Sequence, residues 1–160
     1  MNEQVFVAVI GSARADAEIS ALAEDVGREI ARQGAILVCG GRGGVMEAAC
    51  RGAKAAGGTT VGILPGTDRR EANAYVDIPI VTGMGEARNA IVVRSADAVI
   101  AVSGGHGTLS EIGLALKMGR PVVGLRTWEL YREGEPANAI LEAEAPAQAV
   151  ELALARRRSA

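Results

Sequence analysis

The fold class this sequence predicts is α/β: a Rossmann-like, doubly wound, mostly parallel sheet flanked by helices on both faces. Three observations carry that expectation. Short apolar runs rich in Val and Ile alternate along the chain with longer amphipathic stretches, the pattern of β–α units whose strands are buried on both sides. Apolar residues make up 49% of the 160 residues but aromatic ones only 2%, so the core is built from Val, Ile, Leu and Ala, which suits helices lying close on a parallel sheet. One phrase, Gly-Gly-x-Gly-x-x-x-Glu, is written twice, at residues 40–47 and 104–111, each time after a β-branched run and ahead of a helical one.

Taken in order, residues 5–10 read as a buried strand closed by Gly11-Ser12. Asp16 can cap a helix that continues to Gln33, with Ile19, Leu22, Val26 and Ile30 on one face and Gly34 at the C′ position. Residues 35–39 form the second strand, and the first glycine phrase opens a helix whose body, residues 48–56, is broken by Gly57-Gly58. Residues 59–64 are the third strand. Residues 65–74, the most polar stretch, are expected to be a mobile loop at the ligand edge of the sheet. Residues 76–81 form a strand that Pro79 confines to an edge or irregular place. Residues 86–95 are helical and 97–102 a central strand; after the second phrase come a helix over 112–118 and a strand over 121–125. A loop with Trp128 and Tyr131 leads to a short strand near Ile140, and Pro146 suits the N1 position of a last helix to about Arg156. The whole, residues 1–160, is expected to be one nucleotide-binding domain.

The two phrases point to an anion. A glycine-rich turn between strand and helix exposes backbone N–H groups at the positive end of the helix dipole. In doubly wound sheets ligands sit beyond the carboxyl ends of the strands, where both phrases fall. The expected ligand is a small phosphorylated molecule held by Gly11 and Ser12, by Gly41, Gly43 and Gly44 on one wall, and by Gly104, Gly105, Gly107 and Thr108 on the other. The dinucleotide fingerprint is a poor match: residues 11–16 read Gly-Ser-Ala-Arg-Ala-Asp, and the second strand ends in Cys39-Gly40 where an acid would bind the ribose. No Gly-Lys-Ser/Thr follows either run, which excludes a P-loop.

Composition excludes other classes. A net charge of -2 and a pI near 5.5 argue against nucleic acid as a partner. Arg156-Arg157-Arg158 reads as a solvated tail complementing a helix C-terminus. Cys39 and Cys50 are expected to be reduced, buried thiols rather than a disulfide framework or a metal site. No apolar run approaches the roughly 20 residues of a membrane span, and a strand begins almost at the N-terminus, leaving no signal peptide. The expectation is a cytoplasmic protein with no membrane partner, no metal and no required cofactor.

Residues 103–111, Ser-Gly-Gly-His-Gly-Thr-Leu-Ser-Glu, resemble the Pro-Gly-Gly-x-Gly-Thr-x-x-Glu motif of the Lonely Guy proteins. These are cytokinin-activating phosphoribohydrolases, which split nucleoside 5′-monophosphates into base and ribose 5-phosphate. Residues 40–46 are similar to that family's other glycine-rich loop, and Glu86-Ala87-Arg88-Asn89 resembles its Arg-Lys helix segment. The resemblance spans about residues 5–126. It extends to a shorter sister branch that includes the molybdenum-cofactor carrier proteins, where binding rather than hydrolysis is the known role; residues 85–89 and 103–105 look closer to that branch. Ser103 stands where the motif has Pro, Asn89 where it has Lys, and Glu47 where the hydrolases have a small residue. The resemblance implies a homo-oligomer, most simply a dimer, whose ligand is phosphate, an AMP-like nucleotide or molybdenum cofactor. It leaves open hydrolysis of an N-glycosidic bond, carriage without turnover, and nucleotide sensing. Such sequences often bear a lysine decarboxylase label. The chemistry argues against it, because a pyridoxal enzyme needs a Schiff-base lysine and Lys54 and Lys117 lie late in their helices, about 15 Å from the ligand edge.

Glu111 and Arg88 are the expected catalytic pair. Thr108-x-x-Glu111 is also a capping box, in which Thr108 caps the helix and Glu111 reaches back to it. The functional alternative is a carboxylate at the sugar, stabilising an oxocarbenium-like transition state or activating water. Arg88 would orient the phosphate or ribose and hold Glu111 ionised; its plain alternative is a solvated helix arginine. His106 occupies a variable place in the motif. Glu47 reads as complementing a helix dipole. Ser12 and Arg14 divide between ligand contact and turn duties, Arg69 and Arg70 read as solvated surface, and Met84 and Met118 read as core filler.

Overall fold

The computed structural model describes residues 3–157, so Arg158 of the basic tail lies outside the described residues. The strands β1 (Phe6–Gly11), β2 (Ile36–Cys39), β3 (Thr60–Leu64), β4 (Ile78–Val81), β5 (Ala98–Val102) and β6 (Val122–Leu125) are followed by a small hairpin, β7 (Tyr131–Arg132) with β8 (Glu135–Pro136), and by β9 (Leu141–Glu142). The helices are α1 (Ala17–Arg32), α2 (Val45–Ala55), α3 (Asn89–Arg94), α4 (His106–Lys117) and α5 (Pro146–Arg156). Seven strands form one sheet in the order β4-β3-β2-β1-β5-β6-β9, and every neighbouring pair is parallel. The chain winds outward from β1 to β4, crosses back to lay β5 against β1, and winds outward again. The strand order therefore reverses between β1 and β5, where a crevice opens at the strand ends.

Alternation along the strands divides the core. Val7 and Val9 face α1, α2 and α5 through Val26, Ile30, Ala49 and Val150. Ala8 and Ile10 face α3 and α4 through Val92, Val93, Ile112 and Ala115. Full burial of each Val or Ile is worth roughly 1.5–3 kcal/mol, so this two-sided core sets the register that fixes the strand tips. α1 and α2 pack closely because glycine stands where they cross. A Cβ built on Gly27 would lie 1.8 Å from the Ala49 carbonyl oxygen, and one on Gly52 1.8 Å from that of Glu24.

Most elements fall where the sequence predicts. Asp16 accepts from the Ile19 N–H at 2.8 Å, Gly34 takes a positive φ of 74° after the helix, and Pro146 opens α5. Arg157 donates to the Leu154 carbonyl at 2.8 Å, complementing the end of α5. Among the described residues no helix is long and apolar enough to cross a membrane.

The differences are informative. α4 begins at His106, not Ile112, with Gly105 as its N-cap, so Thr108 lies inside the first turn and no side chain caps the helix. The capping-box reading of Thr108 and Glu111 is thereby corrected. The segment expected as one helix over 86–95 is a 3-10 turn, Gly85–Arg88, followed by α3. The polar stretch 65–74, expected to be mobile, is tied to the first glycine turn. Asn73 donates from its backbone to the Gly41 carbonyl at 2.9 Å and from its side chain to that of Arg42 at 2.9 Å, and Arg42 pairs with Glu71 at 3.1 Å. Met84 is half exposed rather than core, held outward between Gly83 and Gly85, both at positive φ. Met118 packs against the α3–α4 side as expected.

Candidate functional site

A cavity of about 470 Å³ opens at the tips of β1 and β5, at the reversal of strand order. Its floor comes from the β1 turn, with Gly11, Ser12 and Ala13; one wall is Gly40, Arg42 and Met46; the other is Gly105, Gly107, Thr108 and Glu111 on α4. Arg88 and Asn89 close it from the 3-10 turn.

The two glycine phrases do different work here. At the second, Gly105 carries no side chain to accept from the first-turn N–H groups of α4, and space around its Cα is open: a Cβ there would meet nothing within 4 Å. Gly104, at φ 112°, lies behind the turn, with Thr108 filling the space its Cβ would need. Trp128 steadies the turn by donating its indole N–H to the Gly105 carbonyl at 3.2 Å, with the His106 ring 6.0 Å away. At the first phrase the N-terminus of α2 is plugged by the protein itself. The Val45 N–H donates to the Ser12 carbonyl at 2.9 Å, and a Cβ on Gly44 would lie 2.3 Å from that oxygen. Gly41, Gly43 and Gly44 thus stand behind the wall, where Gly41 abuts Leu64, while Gly40 and Arg42 reach the cavity. Sequence reading missed those two, together with Met46 and Trp128. Ser12 accepts from the Arg14 N–H at 3.2 Å, a turn duty carried out at the cavity floor. Glu47 is not among the lining residues.

Glu111 is buried at 7% exposure, and the described residues include no hydrogen-bond or ion-pair partner for its carboxylate. Burial pushes its pKa up to about 7, against the pull of the nearby Arg88 charge. The expectation that Arg88 holds Glu111 ionised is corrected: desolvation outweighs the cation here. Arg88 is itself half-buried, and burial lowers its pKa while Glu111 opposes that shift. One Nη of Arg88 bonds the Asn89 side-chain oxygen and the other the Gly40 carbonyl at 3.4 Å, while its buried Nε has no partner. An orphaned guanidinium N–H costs desolvation energy unless an acceptor arrives. The site therefore combines free helix amides, a cation with a spare donor, and a carboxyl that changes charge near neutrality. Lys54, paired with Asp77 at 2.8 Å, and Lys117 sit at the far ends of α2 and α4.

Comparison with known proteins accords with this architecture. An uncharacterized protein of Archaeoglobus fulgidus is 49% identical over 120 residues, 75% of this chain and 79% of that protein. A cytokinin riboside 5'-monophosphate phosphoribohydrolase of Mycobacterium tuberculosis is 40% identical over 99 residues, 60% of this chain, and the match spans about half of that enzyme, 53%. The solved molybdenum cofactor binding protein of the phototrophic bacterium Rippkaea orientalis superposes with a TM-score of 0.88 at 39% identity, covering 97% of this chain and 98% of that one. The SLOG cluster4 family matches residues 4–150. With its parallel sheet, its glycine turns in order and its cleft at the strand reversal, the chain belongs to the SLOG cluster4 family, within the wider Lonely Guy and molybdenum-cofactor carrier superfamily.

Proposed function

We propose that this protein binds a small phosphorylated nucleotide or nucleotide-like ligand, with the phosphate on Gly105, Gly107 and Thr108 and the Arg88 Nε donating to it. The observation that carries this reading is the uncapped N-terminus of α4 opening into a cavity that is also lined by Arg88, whose buried Nε has no partner. Free amides, dipole and cation together favour a phosphate more than any one alone. The first reading of function is a carrier, with molybdenum cofactor as cargo. It is supported by the near-equal length of the chain and the Rippkaea orientalis cofactor-binding protein. The exposed apolar side chains of Ile78, Ile80, Val81 and Met84 support self-association as a dimer, which sedimentation would check.

Glu111 favours a second reading, hydrolysis of a nucleoside 5′-monophosphate. A carboxyl with a pKa of about 7 is half protonated at neutrality. It would give its proton to the departing base as the C1′–N bond breaks with its electron pair on nitrogen, then take a proton from the water that adds to C1′. Incubation with AMP and N6-substituted AMP, followed by chromatography for free base, separates the readings. Released base supports hydrolysis. Thermal stabilisation by AMP or phosphate without released base supports carriage; at 100 times its dissociation constant a ligand adds about 2.7 kcal/mol. Arg88→Ala should weaken AMP binding about 10- to 100-fold. Stabilisation by neither AMP nor phosphate defeats both readings.

A further inference from the structure

Cys39 at the tip of β2 and Cys50 on α2 meet in the core. Both are fully buried free thiols, and their Sγ atoms lie 3.5 Å apart. We propose that they are an oxidisable pair, whose reversible disulfide reshapes the first glycine turn and thereby gates the cavity beside it. The Gly41 N–H donates to the Cys39 Sγ at 3.3 Å, so the sulfur is already part of that turn's hydrogen bonding. The Cys50 thiol beside it, the Gly41 N–H and the Arg88 charge together lower the Cys39 pKa despite burial, whereas Cys50, next to Cys39 and buried, is raised and keeps its proton. Cys39 is the nucleophile and Cys50 the resolving thiol.

With hydrogen peroxide as oxidant the step balances. The Cys39 thiolate attacks one peroxide oxygen, the O–O bond breaks, and Cys39 becomes a sulfenic acid with hydroxide released. Cys50 then attacks the sulfenic sulfur; the S–S bond forms, the S–O bond breaks, and the oxygen leaves as water with the Cys50 proton. The hydroxide takes the proton that Cys39 gave up on ionising. Two thiols are oxidised and one peroxide is reduced to two waters.

Bond formation needs Sγ atoms about 2.05 Å apart, so closure draws the sulfurs together and strips Cys39 from the Gly41 N–H. The next residue, Gly40, has no slack: a Cβ there would lie 2.8 Å from both the Arg88 Nη2 and the Met46 Sδ. Its carbonyl also holds Arg88. Movement of this turn therefore displaces the cavity's cation.

The gating part rests on the phosphate-site reading; the disulfide part does not. The full chain is treated with hydrogen peroxide, digested with trypsin, and its intact mass and peptides measured. Loss of two hydrogens, with residues 33–42 and 43–51 linked, supports the pair; a single added oxygen on Met46 with no linked peptide overturns it. AMP and inorganic phosphate are then titrated calorimetrically against both forms. Oxidation should weaken binding at least about tenfold, dithiothreitol should restore it, and Cys50→Ala should bind normally before treatment and give no linked peptide after it, since Cys39 then lacks its resolving thiol. A formed disulfide with unchanged affinity overturns the gate. If the reduced protein binds neither probe, the phosphate reading has failed, and amide exchange at residues 40–46 decides the switch: altered by oxidation it stands, unaltered it falls.

Discussion

Replacing Glu111 by Gln isolates the cost of burying one carboxyl. In the native state the proton is held up to about pH 7, against an ordinary value of 4.5. Between these values the folded protein binds more protons than the unfolded chain, so stability falls as pH rises through the window and the full cost is reached near pH 8. At 1.36 kcal/mol per pH unit the span is worth about 3 kcal/mol, most of it, roughly 2–3 kcal/mol, between pH 5 and 8. At 7% exposure solvent screening takes little from this. Glu111→Gln keeps the shape and removes the ionisation, so its stability relative to wild type should rise by roughly 2–3 kcal/mol from pH 5 to pH 8. Urea unfolding reads this as a change of about 1 M in the difference between the two midpoints, with an m-value near 2 kcal/mol/M. If the two proteins keep the same midpoint difference at both pH values, the carboxyl is not held protonated and the acid–base reading of Glu111 goes with it.

Substitutions at three other positions test separate parts of the account. Gly105→Asp should raise stability by roughly 0.5–1 kcal/mol, because the position is an N-cap in extended conformation with open space around it, yet abolish phosphate binding by calorimetry; retained binding would remove α4 from the site. Ser103 sits at φ 52°, a value proline cannot adopt, so Ser103→Pro should cost about 3 kcal/mol or more whereas Ser103→Gly should be neutral or stabilising by about 1 kcal/mol in the same urea assay. Gly52→Ala should destabilise by about 3 kcal/mol or more, since its methyl would meet the Glu24 carbonyl; a loss under about 1 kcal/mol would mean that α1 and α2 separate easily.

The strands were legible because burial on both faces leaves unbroken Val and Ile runs, and β1 and β5 needed no other signal. The start of α4 was not. Gly105 and Gly107 depress helix propensity, and Thr108-x-x-Glu111 copies a capping box although the helix starts earlier, at an N-cap Gly105 that brings no side-chain cap. The crossing of α1 and α2 was hidden for a related reason: Gly27 and Gly52 look like penalties within helices until the neighbouring carbonyl is seen. Arg88 and Glu111 were found through resemblance, but the charge state of Glu111 depends on burial, which no local pattern reports. The hairpin β7–β8 is too short for periodicity to register. The meeting of Cys39 with Cys50 joins a strand tip to a helix face, and sequence spacing alone does not indicate it.

The seam between β1 and β5 has a consequence for how the protein comes into being on the ribosome. The cleft's floor is made among the earliest residues, but its opposing side arrives only after the chain has wandered through β4 and returned. A nascent polypeptide halted before that return has only one side of the cleft, however well its first strands have paired. If the cleft takes an anion as proposed, capture of it requires that the later half has docked.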